Sequence, residues 1–330
     1  MAEPIHDERL LTFLRSVAAG GQHFQRPDNV DLDSLPAEEA LMYGLPPRPA
    51  AGTRSLALWQ TLARSRTAMD LEPPHLPFIG PLRTGYNRLG MKGHLETSRN
   101  WSGAVISSPY RRRPFDFLIG SWEVPDFHEP AQGTENDYAC STWIGFDGHR
   151  RNSRSLPQLG TVQQVGAGGH NKSVRPWWQW WHPGDEEGPN FDDFSDLSVS
   201  IHDRIVATLF SIPSIGVLMK MANSTTGTAS KSVLIPRPAP ELEPRMLDAE
   251  CVLERPKRVV HPHTNFVTPH FYPTTFECHA SLRGETKFRT MQGARLIRMV
   301  HQRRGKPIET IAAPDSSTSR ELVTVRYQLA

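Results

Sequence analysis

From Asn100 onward the chain is written in short runs of alternating or branched apolar residues, and this texture constrains the fold more than any other feature. Gly103 to Ser107 (GAVIS), Gly120 to Pro125 (GSWEVP), Ser141 to Phe146 (STWIGF), Asp196 to Ile201 (DLSVSI), Arg204 to Phe210 (RIVATLF), Gly216 to Ala222 (GVLMKMA), Ser232 to Pro236 (SVLIP), Ala249 to Glu254 (AECVLE) and Leu322 to Gln328 (LVTVRYQ) are separated by Gly, Pro, Asp and Asn. Short runs of this kind with turn residues between them are the signature of an all-β sandwich or barrel. The one window with helical period is Ala294 to Val300. The expectation is an antiparallel β domain over residues 96–330.

Residues 1–95 read differently. Leu10, Leu11, Phe13, Leu14 and Val17 have the spacing of a short amphipathic helix over residues 7–19. A second helix is expected from about Ser55 to Arg66, with Leu56, Leu58, Trp59 and Leu62 on one side. Between and after them lie LPPRP from Leu45 to Pro49 and EPPHLPFIGP from Glu72 to Pro81. Proline favours extended chain, so these segments are expected to supply no compact core. Residues 1–95 therefore form an N-terminal extension of marginal independent stability, a candidate propeptide or cleft-blocking segment.

Half of the eight tryptophans fall between Trp177 and Trp181, in WWQWW. On a strand, Trp178 and Trp180 share one face while Trp177, Gln179 and Trp181 share the other. Indoles on both faces imply a strand buried on one side that lines a groove on the other, and such a groove suits sugar rings or a peptide.

Other classes of function are excluded or weakened. A net charge of +2, with the basic residues scattered or in short clusters such as Arg111 to Arg113, gives no nucleic-acid platform. No apolar run approaches the ~18 residues of a membrane span. The N-terminus MAEPIHDERLLTFLRSVAAGG carries acidic residues and an apolar run broken by Arg15, so no secretory signal or export route is visible. Three cysteines, Cys140, Cys251 and Cys278, leave room for one disulfide and leave the redox compartment open. P-loop, dinucleotide-binding, HExxH and GxSxG signatures are absent. Gly166 to Gly169 (GAGG) follows no β-to-helix transition and reads as a loop rather than a phosphate cradle. His261, His263, His270 and His279 lack ligand spacing, so no metal or cofactor is expected.

Seven segments then occur in order: NWSGAV (Asn100 to Val105), GSWEVP (Gly120 to Pro125), STWIGFDG (Ser141 to Gly148), PQLGT (Pro157 to Thr161), WWQWW (Trp177 to Trp181), NSTTG (Asn223 to Gly227) and AECVLERP (Ala249 to Pro256). Together they resemble the glutamic peptidases, the eqolisin family of pepstatin-insensitive acid endopeptidases, from near Ser98 to Val323-Thr324-Val325. The resemblance implies a concanavalin A-like sandwich of two curved antiparallel sheets with a groove across a concave face. It also implies a polypeptide substrate and a monomer without nucleic-acid or membrane partners. The family's catalytic glutamine and glutamate fall on Gln158 and Glu250. Trp143 and Asp147 match positions near the cleft floor, and Trp178 and Gln179 match the strand that borders the cleft.

Read alone, Gln158 is an ordinary polar residue at a loop or strand end and Glu250 a surface carboxylate. Glu254 has the same strand parity as Glu250 and is its rival, although its place before Arg255-Pro256 suggests a strand-end salt bridge. Asp147 either orients Gln158, shares a proton with Glu250, or forms the turn before Gly148. The family carries a glutamate where this chain has Gln179, a tryptophan where it has Cys251, and Asp-Phe-Gly where it has His270-Phe271-Tyr272. The expected function is a Gln/Glu endopeptidase acting in acid. The alternatives are a catalytically impaired peptide-binding homologue and a lectin-like sandwich. The family resemblance implies secretion, and Asn100, Asn171 and Asn223 each begin a glycosylation sequon.

Overall fold

A computed structural model describes residues 7–27, 29–67, 88–92, 95–109, 113–131, 133–149, 153–182, 191–242, 244–257, 265–301, 308–315 and 321–329. Two β layers face one another. In the first, hydrogen-bonded neighbours run Phe191–Asp193, Ser173–Trp181, Leu156–Gly166, Asp137–Phe146, Asp248–Glu254, Trp101–Ser107 and Arg295–His301. In the second they run Leu322–Tyr327, Thr274–Leu282, Phe115–Glu123, Arg204–Ile212, Gly216–Asn223 and Val233–Pro236. Strand Glu309–Pro314 joins Arg295–His301 to Leu322–Tyr327, so the layers form one continuous hydrogen-bonded ribbon that folds over at that edge. Pairing is antiparallel except at Leu95–Ser98 with Arg295–His301 and at Arg66–Thr67 with Thr228–Ala229.

The sandwich expected from the sequence is the fold found, with two local differences. Ala294 to Val300 lies almost wholly in a strand: its apolar residues also satisfy a period of two, and pairing partners on both sides decide the outcome. Asp196 to Ile201 is not a strand, because side chains satisfy its backbone. Asp203 accepts from the Ser200 N–H at 2.7 Å, and Asn223 Nδ2 donates to the Ser198 carbonyl at 3.1 Å.

Central strands are buried on both faces. Along Asp137–Phe146, Cys140, Ile144 and Phe146 join Trp122, Leu159, Ile205, Cys251 and Phe276 in the core between the layers. The alternate residues Ala139 and Trp143 belong to a separate cluster on the other face of the same layer, with Trp101, Trp177 and Val252. All three cysteines are buried and free.

The extension forms a third layer. Helix α1 (Glu8–Ala18) is capped by Asp7, whose carboxylate accepts from the Arg9 and Leu10 N–H groups; α2 (Ala37–Met42) was not expected; α3 (Arg54–Arg64) is capped by Thr53. Leu10 and Leu14 pack with Ile212, Leu218 and Leu234, while Trp59, Leu62 and Ala63 pack with Phe117, Ile119 and Val206. These are the outward residues of the second layer, so the described helices cover the side of the sandwich away from Trp143. The LPPRP segment, expected to supply no core, does supply some: Leu45 is buried, and Trp59 donates its indole N–H to the Pro46 carbonyl at 2.9 Å. The proline backbone offers acceptors that no helix claims. Arg54 adds a bidentate pair to Glu277 at 2.6 and 3.1 Å. The EPPHLPFIGP segment lies outside the described residues. Among the described residues no helix is long and apolar enough to cross a membrane.

Candidate active site

One transverse row of the first layer brings the expected pair together. Glu250 is opposite Gly145, Gly145 is opposite Gln158, and Gln158 is opposite Gln179. Residues paired in this way project from the same face, so Glu250, Gln158 and Gln179 all emerge on the side opposite the inter-layer core. Two strand spacings, ~9.6 Å, separate the first two backbones, and both side chains are long enough to converge on a small molecule between them. Gly145 places no side chain between them. A Cβ at 145 would lie 3.0 Å from Gln158 Cβ and from the Pro157 carbonyl, and 3.1 Å from Trp143 Cζ3.

Burial gives the pair its electrostatics. Glu250 is fully buried, and neither carboxyl oxygen makes a hydrogen bond of ordinary geometry among the described residues, although the backbone N–H of His149 acts on it. Its pKa is pushed well above the usual carboxylate range by that burial, then by the nearby carboxyls of Asp248 and Asp147; the His149 backbone N–H offsets this only in part. Gln158 Nε2 donates to Gln179 Oε1 at 3.2 Å, which fixes the amide so that Gln158 presents defined donor and acceptor edges. Gln179 therefore touches the expected catalytic residue directly.

Asp147 stands at the turn before Gly148, one of the places expected for it. It adopts φ 63° at the end of its strand, and its carboxylate accepts the backbone N–H groups of Met246 (2.7 Å), Leu247 (2.8 Å) and Asp248 (3.3 Å). Its own N–H donates to the Asp248 carbonyl at 3.0 Å. Asp147 thus clamps the run that leads into Glu250. Burial, with Asp248 adding to it, raises its pKa to about 6 against the three N–H donors.

The four clustered tryptophans divide as alternation requires. Trp177 and Trp181 pack on the face of Gln158 and Glu250, whereas Trp180 and Trp178 pack on the inter-layer core. Trp178 is therefore not brought together with Gln158, Glu250 and Gln179, because adjacent strand residues point to opposite faces. Trp143 is on the dyad face, edge-to-face with Trp101 at 4.9 Å and 77°.

Glu254 does not form the strand-end salt bridge expected of it. It is fully buried, accepting from Trp143 Nε1 at 3.0 Å and from Asn100 Nδ2 at 3.0 Å. Burial raises its pKa to about 8 despite these donors. Asn100, read as a sequon, is thus an interior hydrogen-bond donor; Asn223 is also buried, and Asn171 alone of the three is exposed.

Sequence reasoning missed a partly buried polar cluster at the far end of the row, centred on Glu96. Arg295 is opposite Val105, which is opposite Glu250. Arg295 pairs with Glu96 at 2.9 Å, and so does His149. Glu96 is fully buried. No local pattern announces this cluster, because its members come from three segments distant in sequence.

Among the described residues, no group of three or more His, Cys, Asp and Glu side chains could hold a metal ion. His261 and His263 lie outside those residues. His279 hydrogen-bonds Glu277 at 3.2 Å, on the second layer.

The fold and this row define a two-layer β-sandwich whose outer face carries a buried amide and a buried carboxyl on either side of a glycine. The chain belongs to the Peptidase A4 family, whose model matches residues 99–327, and so is a glutamic-type peptidase acting on polypeptides. Its structure is similar to that of scytalido-glutamic peptidase solved with a transition-state analogue inhibitor, with a TM-score of 0.53 and 19% identity over 70% of this chain and 98% of that one. It is also similar to SCP-B, an eqolisin solved in complex with the tripeptide Ala-Ile-His, with a TM-score of 0.51 and 18% identity over 70% and 98%. No curated protein matches the chain.

Proposed function

We propose that the chain is an endopeptidase in which Gln158 and Glu250 activate water against a peptide bond. The observation that carries this reading is the row Glu250, Gly145, Gln158, in which a glycine places no side chain between two buried groups of complementary chemistry. Ionised Glu250 takes a proton from a water held between the two side chains, and the water oxygen bonds to the peptide carbonyl carbon. Gln158 Nε2 donates to the oxyanion that develops, an interaction worth on the order of 3 kcal/mol of barrier. Glu250 then passes its proton to the amine nitrogen as the C–N bond breaks. No covalent intermediate forms on the protein.

A base must be ionised to act, and burial together with Asp248 and Asp147 opposes ionisation of Glu250. The acid limb of the pH–rate profile should therefore sit above that of an ordinary carboxylate, while activity remains in mildly acidic solution. The test is cleavage of a denatured protein from about pH 2 to about pH 7 by wild type, Gln158→Ala and Glu250→Gln. Both variants should lose on the order of 10² to 10³ or more in kcat. Cleavage by the variants at the wild-type rate would remove the dyad, and wild type inactive at every pH would favour the impaired peptide-binding reading.

A further inference from the structure

Trp143 lies like a bar along its strand, held at both ends. Its Nε1 edge is bonded to Glu254, four residues beyond Glu250 on the neighbouring strand and on the same face. Its opposite edge, at Cζ3, lies 3.1 Å from the position that a Cβ on Gly145, between Gln158 and Glu250, would take. Gly160 is opposite Trp143 on the next strand, and a Cβ there would meet Trp143 Cβ at 2.5 Å, so only glycine lets the root of this side chain sit so close to that strand. Trp101 closes the remaining flank edge-to-face. A single acceptor thus sets how far the benzo edge reaches into the space where a water and a peptide carbonyl would sit.

We propose that Glu254 is a positioning residue for the Gln158/Glu250 pair, acting through the Trp143 indole, whose benzo edge comes up beside Gly145 between them. Two features support a role beyond ordinary core packing. Glu254 is a fully buried carboxyl whose donors are the neutral side chains of Trp101, Trp143 and Asn100, an arrangement that an apolar residue of similar size would replace without the desolvation penalty. Burial also keeps it neutral over the acidic range, so a glutamine, isosteric and uncharged, can accept from the same indole. This inference rests on the proposed dyad for its effect on rate, but the position of the ring is measurable without any activity.

The experiment compares Glu254→Gln with Glu254→Leu in the full-length chain. Two readouts are taken: the exciton signal of the Trp101/Trp143 pair in circular dichroism, and kcat and KM on a peptide substrate. Glu254→Gln should keep the signal and stay within about three-fold of the wild-type kcat. Glu254→Leu should lose the signal and lose on the order of 10² in kcat with KM within about two-fold, because a displacement of ~1 Å at a reacting centre is enough for that loss. If Glu254→Leu does not fold, Trp143→Phe removes the indole N–H while keeping a ring, and should reproduce the fall in kcat. The proposal is overturned if Glu254→Leu retains the signal, if Glu254→Gln loses as much kcat as Glu254→Leu, or if Trp143→Phe keeps the full kcat. If wild type cleaves no peptide, the dyad fails, yet the circular dichroism of the Gln and Leu variants still decides whether Glu254 holds the ring.

Discussion

The two layers of the sandwich each have an outer face, and the chain treats them in opposite ways. On the second layer the outward residues include Phe117, Ile119, Val206 and Ala222, covered by Trp59, Leu58 and Leu62 of the helices, and the buried polar residues among them, Thr208, Lys220, Glu277 and His279, all have hydrogen-bond partners. On the first layer the outward residues include Gln158, Gln179, Glu250 and Glu254, equally buried but polar. Burial of an apolar face lowers free energy by about 25 cal/mol per Å², whereas burying an amide or carboxyl costs unless it is fully bonded. The buried polar groups of the second layer are bonded, whereas neither carboxyl oxygen of Glu250 makes a hydrogen bond of ordinary geometry among the described residues, and on the proposed function Glu250 is the group that acts on water.

Substitutions on the two faces should therefore separate stability from activity. The largest stability effect is expected at Trp59→Ala, which removes a fully buried indole and its hydrogen bond to Pro46. It should cost about 3–5 kcal/mol in urea unfolding and leave the kcat of the remaining folded protein unchanged. A fall in kcat instead would mean that the helical layer communicates with the row. On the opposite face, Gly145→Ala should cost on the order of 10² in kcat, since its methyl comes between Gln158 and Glu250. Retention of full activity by this variant would break the claim that the gap is the reaction site.

A smaller effect follows from the buried carboxyls. Folding raises the pKa of Asp147 to about 6 and that of Glu254 to about 8, from unfolded values near 4. A group whose pKa is higher in the folded state contributes stability that is present below its unfolded pKa and is lost as pH rises through the folded value. The opposite case is Glu277, held at about 2 by its pairing with His279 and Arg54 despite burial, whose contribution is lost only in stronger acid. Tm should thus be highest near about pH 4 and fall by several degrees toward about pH 8. Glu254→Gln should flatten the upper part of that fall; an unchanged slope would show that Glu254 is not the titrating group.

Much of this was readable before the structure. The sandwich followed from the spacing of short runs, α1 and α3 from apolar period, and the split of the tryptophans from alternation. Gln158 and Glu250 came from the ordered motifs, but their common row did not, because register between strands more than ninety residues apart is set by pairing that no local pattern encodes. Trp178 shows the limit of motif matching: neighbours in a motif lie on opposite faces of a strand. Glu254 and Asn100 were misread for a shared reason. A carboxylate before Arg-Pro and an asparagine in a sequon both look exposed, and only the pairing of Trp101–Ser107 against Asp248–Glu254 buries them together.

Glu250 and Glu254 offer the most direct test, being two buried carboxyls on one face of one strand. The measurement is kcat for Glu250→Gln and Glu254→Gln on the same peptide, at the same pH, with folding verified. The account predicts a loss of at least about 10³ for Glu250→Gln, which can no longer take a proton from water, and a change within about three-fold for Glu254→Gln, which still accepts from Trp143. Equal losses at the two positions, or a larger loss at Glu254, would contradict it.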